Sequence, residues 1–154
     1  MSKFNLYFRN YLLILFFFAT YFLIEQQNNP VEWTTSEWLI NYQGGFTRRG
    51  LLGEIVFHFS NTFSLPFRKT ILLFQISSYL LYYYLLFNFL KNINKNLILV
   101  FAIFSPLFIL YPIAELEVLA RKEIFVFISF LLIANIFSVK NIQNKNYFYF
   151  SLII

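Results

Sequence analysis

The chain has 154 residues, of which 59% are apolar, 23% aromatic and only 12% charged. Soluble globular domains carry charge on about a quarter of their residues, so this composition argues against a soluble domain and indicates an integral membrane protein. The net charge of +5 is explained by basic residues that set membrane topology, and no nucleic-acid partner is expected. The chain has no cysteine and a single histidine, which excludes a disulfide, a thiolate metal site and a histidine-rich metal cluster. We expect no metal and no cofactor.

The first predicted membrane span covers residues 7–24, an apolar run that begins near Lys3 and Arg9. It resembles a signal peptide, but the polar stretch EQQNNP after it offers no small-residue cleavage site. We therefore expect a retained span, with Arg9 extending to the interface at its cytoplasmic end. The N-terminus is predicted to be cytoplasmic and the segment 25–69 to be an extracytoplasmic loop.

The second half of this loop, 50–66, is predicted to be a helix with apolar and polar faces. A spanning helix would hold Glu54 at depth, at a cost of about 2.5 to 3.5 kcal/mol on insertion scales for comparable charges. A helix lying flat in the interface avoids that cost. The flat arrangement also puts all seven acidic residues, which are all glutamates, on the outer side, and we prefer it.

Three further spans are predicted at 70–90, 97–113 and 124–139. Two short basic turns, KNINK after the second span and KNIQNKN after the fourth, are predicted on the cytoplasmic side. A last apolar run, 147–154, is too short to cross and is expected to be an incomplete span in a chain that breaks off there. The predicted fold is therefore all-α. It is a single polytopic transmembrane bundle over 1–154, with about five spans and an interfacial helix in the first outer loop.

The first outer loop contains EWTTSEW, in which Glu32 and Glu37 precede Trp33 and Trp38. Indole rings beside carboxylates suit sugar binding, because the ring faces stack on pyranoses and the carboxylates accept hydroxyl hydrogen bonds. They equally suit an interfacial anchor. Both interpretations remain open from the residues alone.

The stretch NYQGGFTRRGLLGE follows and holds all four glycines of the chain. Gly44 and Gly45 predict a tight turn, and Arg48 and Arg49 then precede a helix that begins near Gly50. Guanidinium groups beside a helix N-terminus form a favourable phosphate or pyrophosphate site. The alternative is that both arginines anchor an interfacial helix to lipid phosphates.

The second outer loop, AELEVLARKE, has glutamates and basic residues at helical spacing. Glu117 and Arg121 are four residues apart and can pair within one helix. They could equally complete a polar site shared with the first loop. Polar residues of the second span, including Gln75, are interpreted as helix–helix contacts, and the run from Tyr79 to Tyr84 as packing.

WLINYQGGFTRRGLLGE, residues 38–54, together with LARKE, residues 119–123, resembles a stretch in multi-spanning membrane proteins of bacterial capsule and O-antigen gene clusters. Some of these are Wzy-like oligosaccharide repeat-unit polymerases. The resemblance implies a GT-C-like membrane glycosyltransferase or polymerase. It would act on polyprenyl-pyrophosphate-linked sugars at the outer face of the bacterial inner membrane, beside other polysaccharide-assembly membrane proteins. A non-catalytic membrane subunit and a transporter or flippase component are the alternatives.

The resemblance also implies roles for individual residues: Arg48 and Arg49 would hold the lipid pyrophosphate, and Glu37 would be the catalytic acid or base. Glu32 is a second candidate for the acid or base, and Trp33 and Trp38 are the candidates for sugar stacking. We add four further candidates for binding the lipid pyrophosphate: Gly45, Gly50, Glu54 and Arg121.

Overall fold

The computed structural model describes residues 3–28, 37–47, 50–91, 97–105, 109, 113 and 115–139. Over these residues the chain is helical, without a strand, which confirms the all-α prediction. The helices are α1 (Lys3–Asn28), α2 (Gly50–Phe63), α3 (Phe67–Leu90), α4 (Leu97–Phe104), α5 (Leu116–Leu119) and α6 (Ile124–Val139).

Two of these helices, α1 and α3, are long and apolar enough to cross a membrane, and α6 is a shorter apolar helix. They contain or coincide with the predicted spans 7–24, 70–90 and 124–139. Helix α4 covers the first part of the predicted span 97–113, and the run 147–154 lies outside the described residues.

Helix α2 has 14 residues, which at the rise of an α-helix gives a length of roughly 21 Å. A hydrocarbon core is about 30 Å thick. The length of α2 therefore favours a helix that does not cross the bilayer.

The central helix is α3, which packs against α1, α2 and α6. The Phe8 and Phe87 rings stack with centroids 6.1 Å apart at one end of α1 and α3. At the other end, Leu23 of α1 and Ile71 of α3 line the same small cavity. Helix α1 therefore runs antiparallel to α3.

Two hydrogen bonds set the direction of α6 beside α3. Gln75 Nε2 donates to the backbone oxygen of Ala120 at 3.1 Å, just before α6 begins. Asn135 Nδ2 donates to the backbone oxygen of Leu85 at 3.0 Å, further along both helices. The two helices therefore run parallel, and their N-termini lie at the same end of the molecule as the C-terminus of α1.

The interior of this bundle is mainly apolar, although Thr70, Gln75 and Ser78 of α3 are also buried. In α1 the buried residues follow a spacing of three and four: Phe8, Leu12, Leu15, Ala19 and Leu23. The opposite face of α1 is also apolar but exposed, with Phe17 at 68% and Tyr21 at 62%. A helix that is apolar all round needs cover on both faces, from protein or from lipid.

Candidate functional site

The two loops that the sequence predicts on the outer side meet at the shared end of α1, α3 and α6. Trp38 Nε1 donates to the backbone oxygen of Ala120 at 2.7 Å, and Gln75 Nε2 donates to the same oxygen. Tyr79 Oη donates to the backbone oxygen of Leu119 at 2.8 Å. We call these five residues the loop junction. Carbonyls at a helix C-terminus lack partners within the helix, and here side chains from the first loop and from α3 satisfy those of α5.

Trp38 is the centre of this junction and is 0% exposed. It forms a buried cluster with Val56 of α2 and Ile71 of α3, and its ring lies 5.9 Å from that of Phe125 of α6. The indole therefore joins three helices and the second loop. In this arrangement no face of the ring is open to a ligand. The function that we propose therefore does not include the sugar-stacking role predicted for Trp38.

Glu54 holds the glycine turn of the first loop. Its Oε2 accepts a hydrogen bond from Tyr42 N at 2.9 Å, and its Oε1 accepts one from Gln43 Nε2 at 2.8 Å. His58 Nε2 lies 3.1 Å from Oε1 on the next turn of α2. Both oxygens of the Glu54 carboxylate thus accept hydrogen bonds from the first loop, and Glu54 anchors the turn. Its role in binding a pyrophosphate stays a prediction.

The turn requires glycine at one position and the helix start requires it at two others. Gly45 has a φ of +120°, a conformation that residues with a side chain rarely adopt. A Cβ on Gly50 would overlap the Tyr42 ring, and one on Gly53 would overlap the Ile40 backbone oxygen. The absence of a side chain at Gly50 and Gly53 thus lets the backbone and side chains of the first loop approach α2 closely.

A cleft of about 340 Å³ opens beside the loop junction. Its apolar part comes from the start of α2 and the first turn of α6. Its charged part comes from Glu37 in the first loop and from Lys122 and Glu123 in the second. The cleft is lined by Glu37, Leu51, Leu52, Lys122, Glu123, Phe125 and Val126.

This cleft combines two chemical properties. The carboxylates of Glu37 and Glu123 can accept hydroxyl hydrogen bonds or a proton, and the Lys122 ammonium can bind an anionic oxygen. The neighbouring leucine, phenylalanine and valine side chains offer carbon surface to a hydrocarbon group. The arrangement suits a ligand with a polar, partly anionic head and an apolar tail.

The structure brings Glu37 into this cleft and leaves the Arg121 side chain exposed beside it. Four other predicted site residues, Glu32, Trp33, Arg48 and Arg49, lie outside the described residues. Sequence reasoning missed the junction roles of Gln75 and Tyr79, which it interpreted as helix packing. It also left Lys122 and Glu123 out of the site, although both belong to the LARKE stretch that the resemblance had marked.

Among the described residues no group of three or more histidines and acidic residues is arranged to hold a metal ion. No protein-family model matches the chain, and no curated protein and no solved structure matches it.

Proposed function

We propose that the chain is a multi-pass protein of a bacterial inner membrane, with the loop junction on the outer face and the N-terminus in the cytoplasm. Support comes from the length and apolarity of α1 and α3 and from their exposed apolar side chains. The charges support the same orientation, because Lys3 and Arg9 begin α1 whereas Glu25 lies near its other end. Basic residues favour the cytoplasmic side of a membrane.

The function we propose is the binding and transfer of polyprenyl-pyrophosphate-linked oligosaccharide during surface polysaccharide assembly. The observation that carries this proposal is the cleft, in which Glu37, Lys122 and Glu123 stand beside an apolar surface built by α2 and α6. A lipid-linked sugar has both parts, a polar head and a hydrocarbon tail. At the level of lipid headgroups such a cleft would receive the head while the tail stays in the bilayer.

In the proposed reaction an acceptor hydroxyl oxygen bonds to the anomeric carbon of the lipid-linked sugar as the bond from that carbon to the pyrophosphate oxygen breaks. Glu37 takes the hydroxyl proton as general base. The departing pyrophosphate carries the electron pair of the broken bond, and cations stabilise it. Lys122 lines the cleft and supplies one such cation. Arg48 and Arg49, which the sequence predicts to bind the pyrophosphate, supply the others.

Glu37→Gln tests the proposed base directly. We expect a loss of about 10² to 10⁴ in transfer rate, measured as polysaccharide formed per unit of membrane-inserted protein. The matched control is Glu115→Gln, because Glu115 is exposed and is not among the residues that line the cleft. Wild-type transfer by Glu37→Gln would remove this residue from the mechanism.

The same assay separates an enzyme from a non-catalytic binding subunit or flippase component. If Glu37→Gln still binds the lipid-linked substrate but produces no polymer, the cleft is catalytic. If the variant supports normal polymer, replacing Arg48 and Arg49 by lysine then tests recognition alone. Loss of long polysaccharide chains at normal protein level supports specific pyrophosphate binding, because lysine keeps the charge but lacks the bidentate geometry of arginine.

A further inference from the structure

A groove of about 310 Å³ lies between α1 and α3, towards the end of the molecule opposite to the loop junction. Its walls come from residues 9–16 of α1 and 80–87 of α3, and they include Phe16, Leu80 and Phe87. The surface that it offers is carbon, including the aliphatic part of the Arg9 side chain. Ligand pockets in proteins begin at roughly 300 Å³, so the groove has room for part of a hydrocarbon chain.

The charges at this end of the molecule are positive. Lys3 begins α1, Arg9 borders the groove, and Lys91 follows α3, where its Nζ donates to Asn88 Oδ1 at 2.8 Å. The sequence has no acidic residue from 1 to 24 or from 55 to 114. These basic residues would therefore attract an anionic group near the groove. No carboxylate of residues 1–24 or of α3 would repel it.

We propose that this groove binds one hydrocarbon chain of an anionic phospholipid, with the lipid phosphate at the Arg9 guanidinium. The proposal rests on the membrane embedding proposed above but not on the glycosyl-transfer chemistry. The apolar walls exclude water from the chain, and a guanidinium matches phosphate oxygens with two parallel hydrogen bonds. Basic residues next to an anionic leaflet add further attraction.

Other occupants fit the same observations less well. Helix α4 packs elsewhere on α1, because the Phe104 ring lies 4.8 Å from the ring of Tyr11, which is not a groove wall. The segment 140–146 of this chain, KNIQNKN, is itself basic, so it would bring like charges to the Arg9 border. An anionic lipid is the occupant whose charge complements this end of the molecule.

Photolabelling of the full chain tests the proposal. The protein is placed in phosphatidylcholine vesicles that contain a trace of either phosphatidylglycerol or phosphatidylcholine with a photoreactive acyl chain, and labelled residues are mapped by mass spectrometry. We expect label within residues 9–16 and 80–87, with about fivefold more from phosphatidylglycerol, the factor that one basic residue contributes near an anionic surface. Arg9→Gln should reduce the excess to the phosphatidylcholine level, and Arg9→Lys should keep most of it.

Filling the groove with a larger side chain gives a second test, for which the chain offers a matched control. Leu80 and Leu73 are both on α3 and are 54% and 53% exposed, but only Leu80 lines the groove. Leu80→Trp should lower the labelling by phosphatidylglycerol several-fold, whereas Leu73→Trp should leave it unchanged.

Two results would overturn the proposal. Equal labelling by both lipids, unaffected by Arg9→Gln, would mean ordinary contact with the bilayer. Crosslinks from groove residues to a second copy of the chain or to its own residues 140–154 would mean a protein occupant. Failure of the glycosyl-transfer proposal would appear separately, as wild-type polymer from Glu37→Gln with the lipid preference intact.

Discussion

The two ends of the bundle are held together by different interactions. At the loop end, Trp38, Gln75 and Tyr79 donate hydrogen bonds to specific backbone oxygens of the second loop. At the opposite end, Asn135 donates one hydrogen bond to the backbone oxygen of Leu85, but the packing of α1 on α3 is mainly aromatic and aliphatic, as between Phe8 and Phe87. Buried hydrogen bonds are directional and costly to leave unmade, whereas apolar contacts tolerate substitutions that conserve volume. The loop end is therefore built for one geometry, as a binding site requires, and the opposite end should be the more adaptable.

The largest effect expected from this difference comes from Trp38→Ala. The substitution leaves a cavity between Val56, Ile71 and Phe125 and removes a donor to Ala120. Truncation of a buried tryptophan costs about 3 to 5 kcal/mol, so we expect a large fall in the midpoint of thermal unfolding, followed by circular dichroism in a membrane-mimetic solution.

Leu39→Ala is the control for this variant, because Leu39 is the neighbouring residue and is 46% exposed. It should shift the midpoint little. Similar midpoints for the two variants would show that the first loop does not dock onto the second through Trp38.

The next effect concerns the approach of the first loop to α2. Gly53→Ala places a methyl group against the Ile40 backbone oxygen, and the loop must move to admit it. Overpacking of this kind costs about 1 to 3 kcal/mol. Gly44→Ala is the matched control, since nothing lies within 4 Å of a Cβ built on Gly44. An equal unfolding midpoint for Gly53→Ala and the wild type would contradict the close approach.

A smaller and more local effect is expected for Glu54→Ala. The turn at 42–45 loses the acceptor for Tyr42 N and Gln43 Nε2. Both donors can reach water, so the loss costs less than the about 1 to 3 kcal/mol of a fully buried unsatisfied donor. Amide hydrogen exchange at residues 42–46 should become faster while exchange in α3 is unchanged.

His58→Ala removes the contact of Glu54 within α2 and keeps its contacts with the turn. The His58 side chain is 70% exposed, and exposed ion pairs contribute about 0 to 1 kcal/mol. Exchange in the turn should remain close to wild type in this variant. If both variants exchange alike, Glu54 does not anchor the turn.

The smallest effect is expected at the opposite end of the bundle. Phe87→Leu removes the ring that stacks on Phe8, an aromatic pair of the kind that contributes about 0.5 to 1.5 kcal/mol beyond its buried area. Leucine retains an apolar side chain between the helices, so the unfolding midpoint should fall less than in Gly53→Ala. A larger fall in the unfolding midpoint than in Gly53→Ala would show that the end with Phe87 tolerates substitution less well than the loop end.

The sequence predicted the helices well and the contacts between them poorly. Long apolar runs located α1 and α3 to within about one helical turn, and the glycines before residue 51 located the start of α2. The bond from Trp38 to Ala120 joins residues 82 apart, and no local pattern encodes such a distance. An indole beside a carboxylate suggests a sugar site or an anchor on sequence grounds, and only the packing of three helices around Trp38 reveals its structural role.

The same limit applies to Gln75 and Tyr79. In the sequence of α3 they are ordinary polar positions in an apolar segment. Their acceptors belong to a loop 40 or more residues away, so the local sequence does not reveal these hydrogen bonds. The sequence context predicts Glu37 as a site residue, but Lys122 and Glu123 lie in the same cleft only because the two loops meet at the loop junction.

We propose that the two loops meet on the outer face of the membrane. Because the chain has no cysteine, pairs of introduced cysteines test this directly with a membrane-impermeant crosslinker that joins two thiols. Leu51→Cys with Val126→Cys, across the cleft, should crosslink when the reagent is outside intact cells. Leu13→Cys with Leu80→Cys, across the groove, should not. Crosslinking of the groove pair from outside, or of the cleft pair only after the reagent reaches the cytoplasm, would contradict the account.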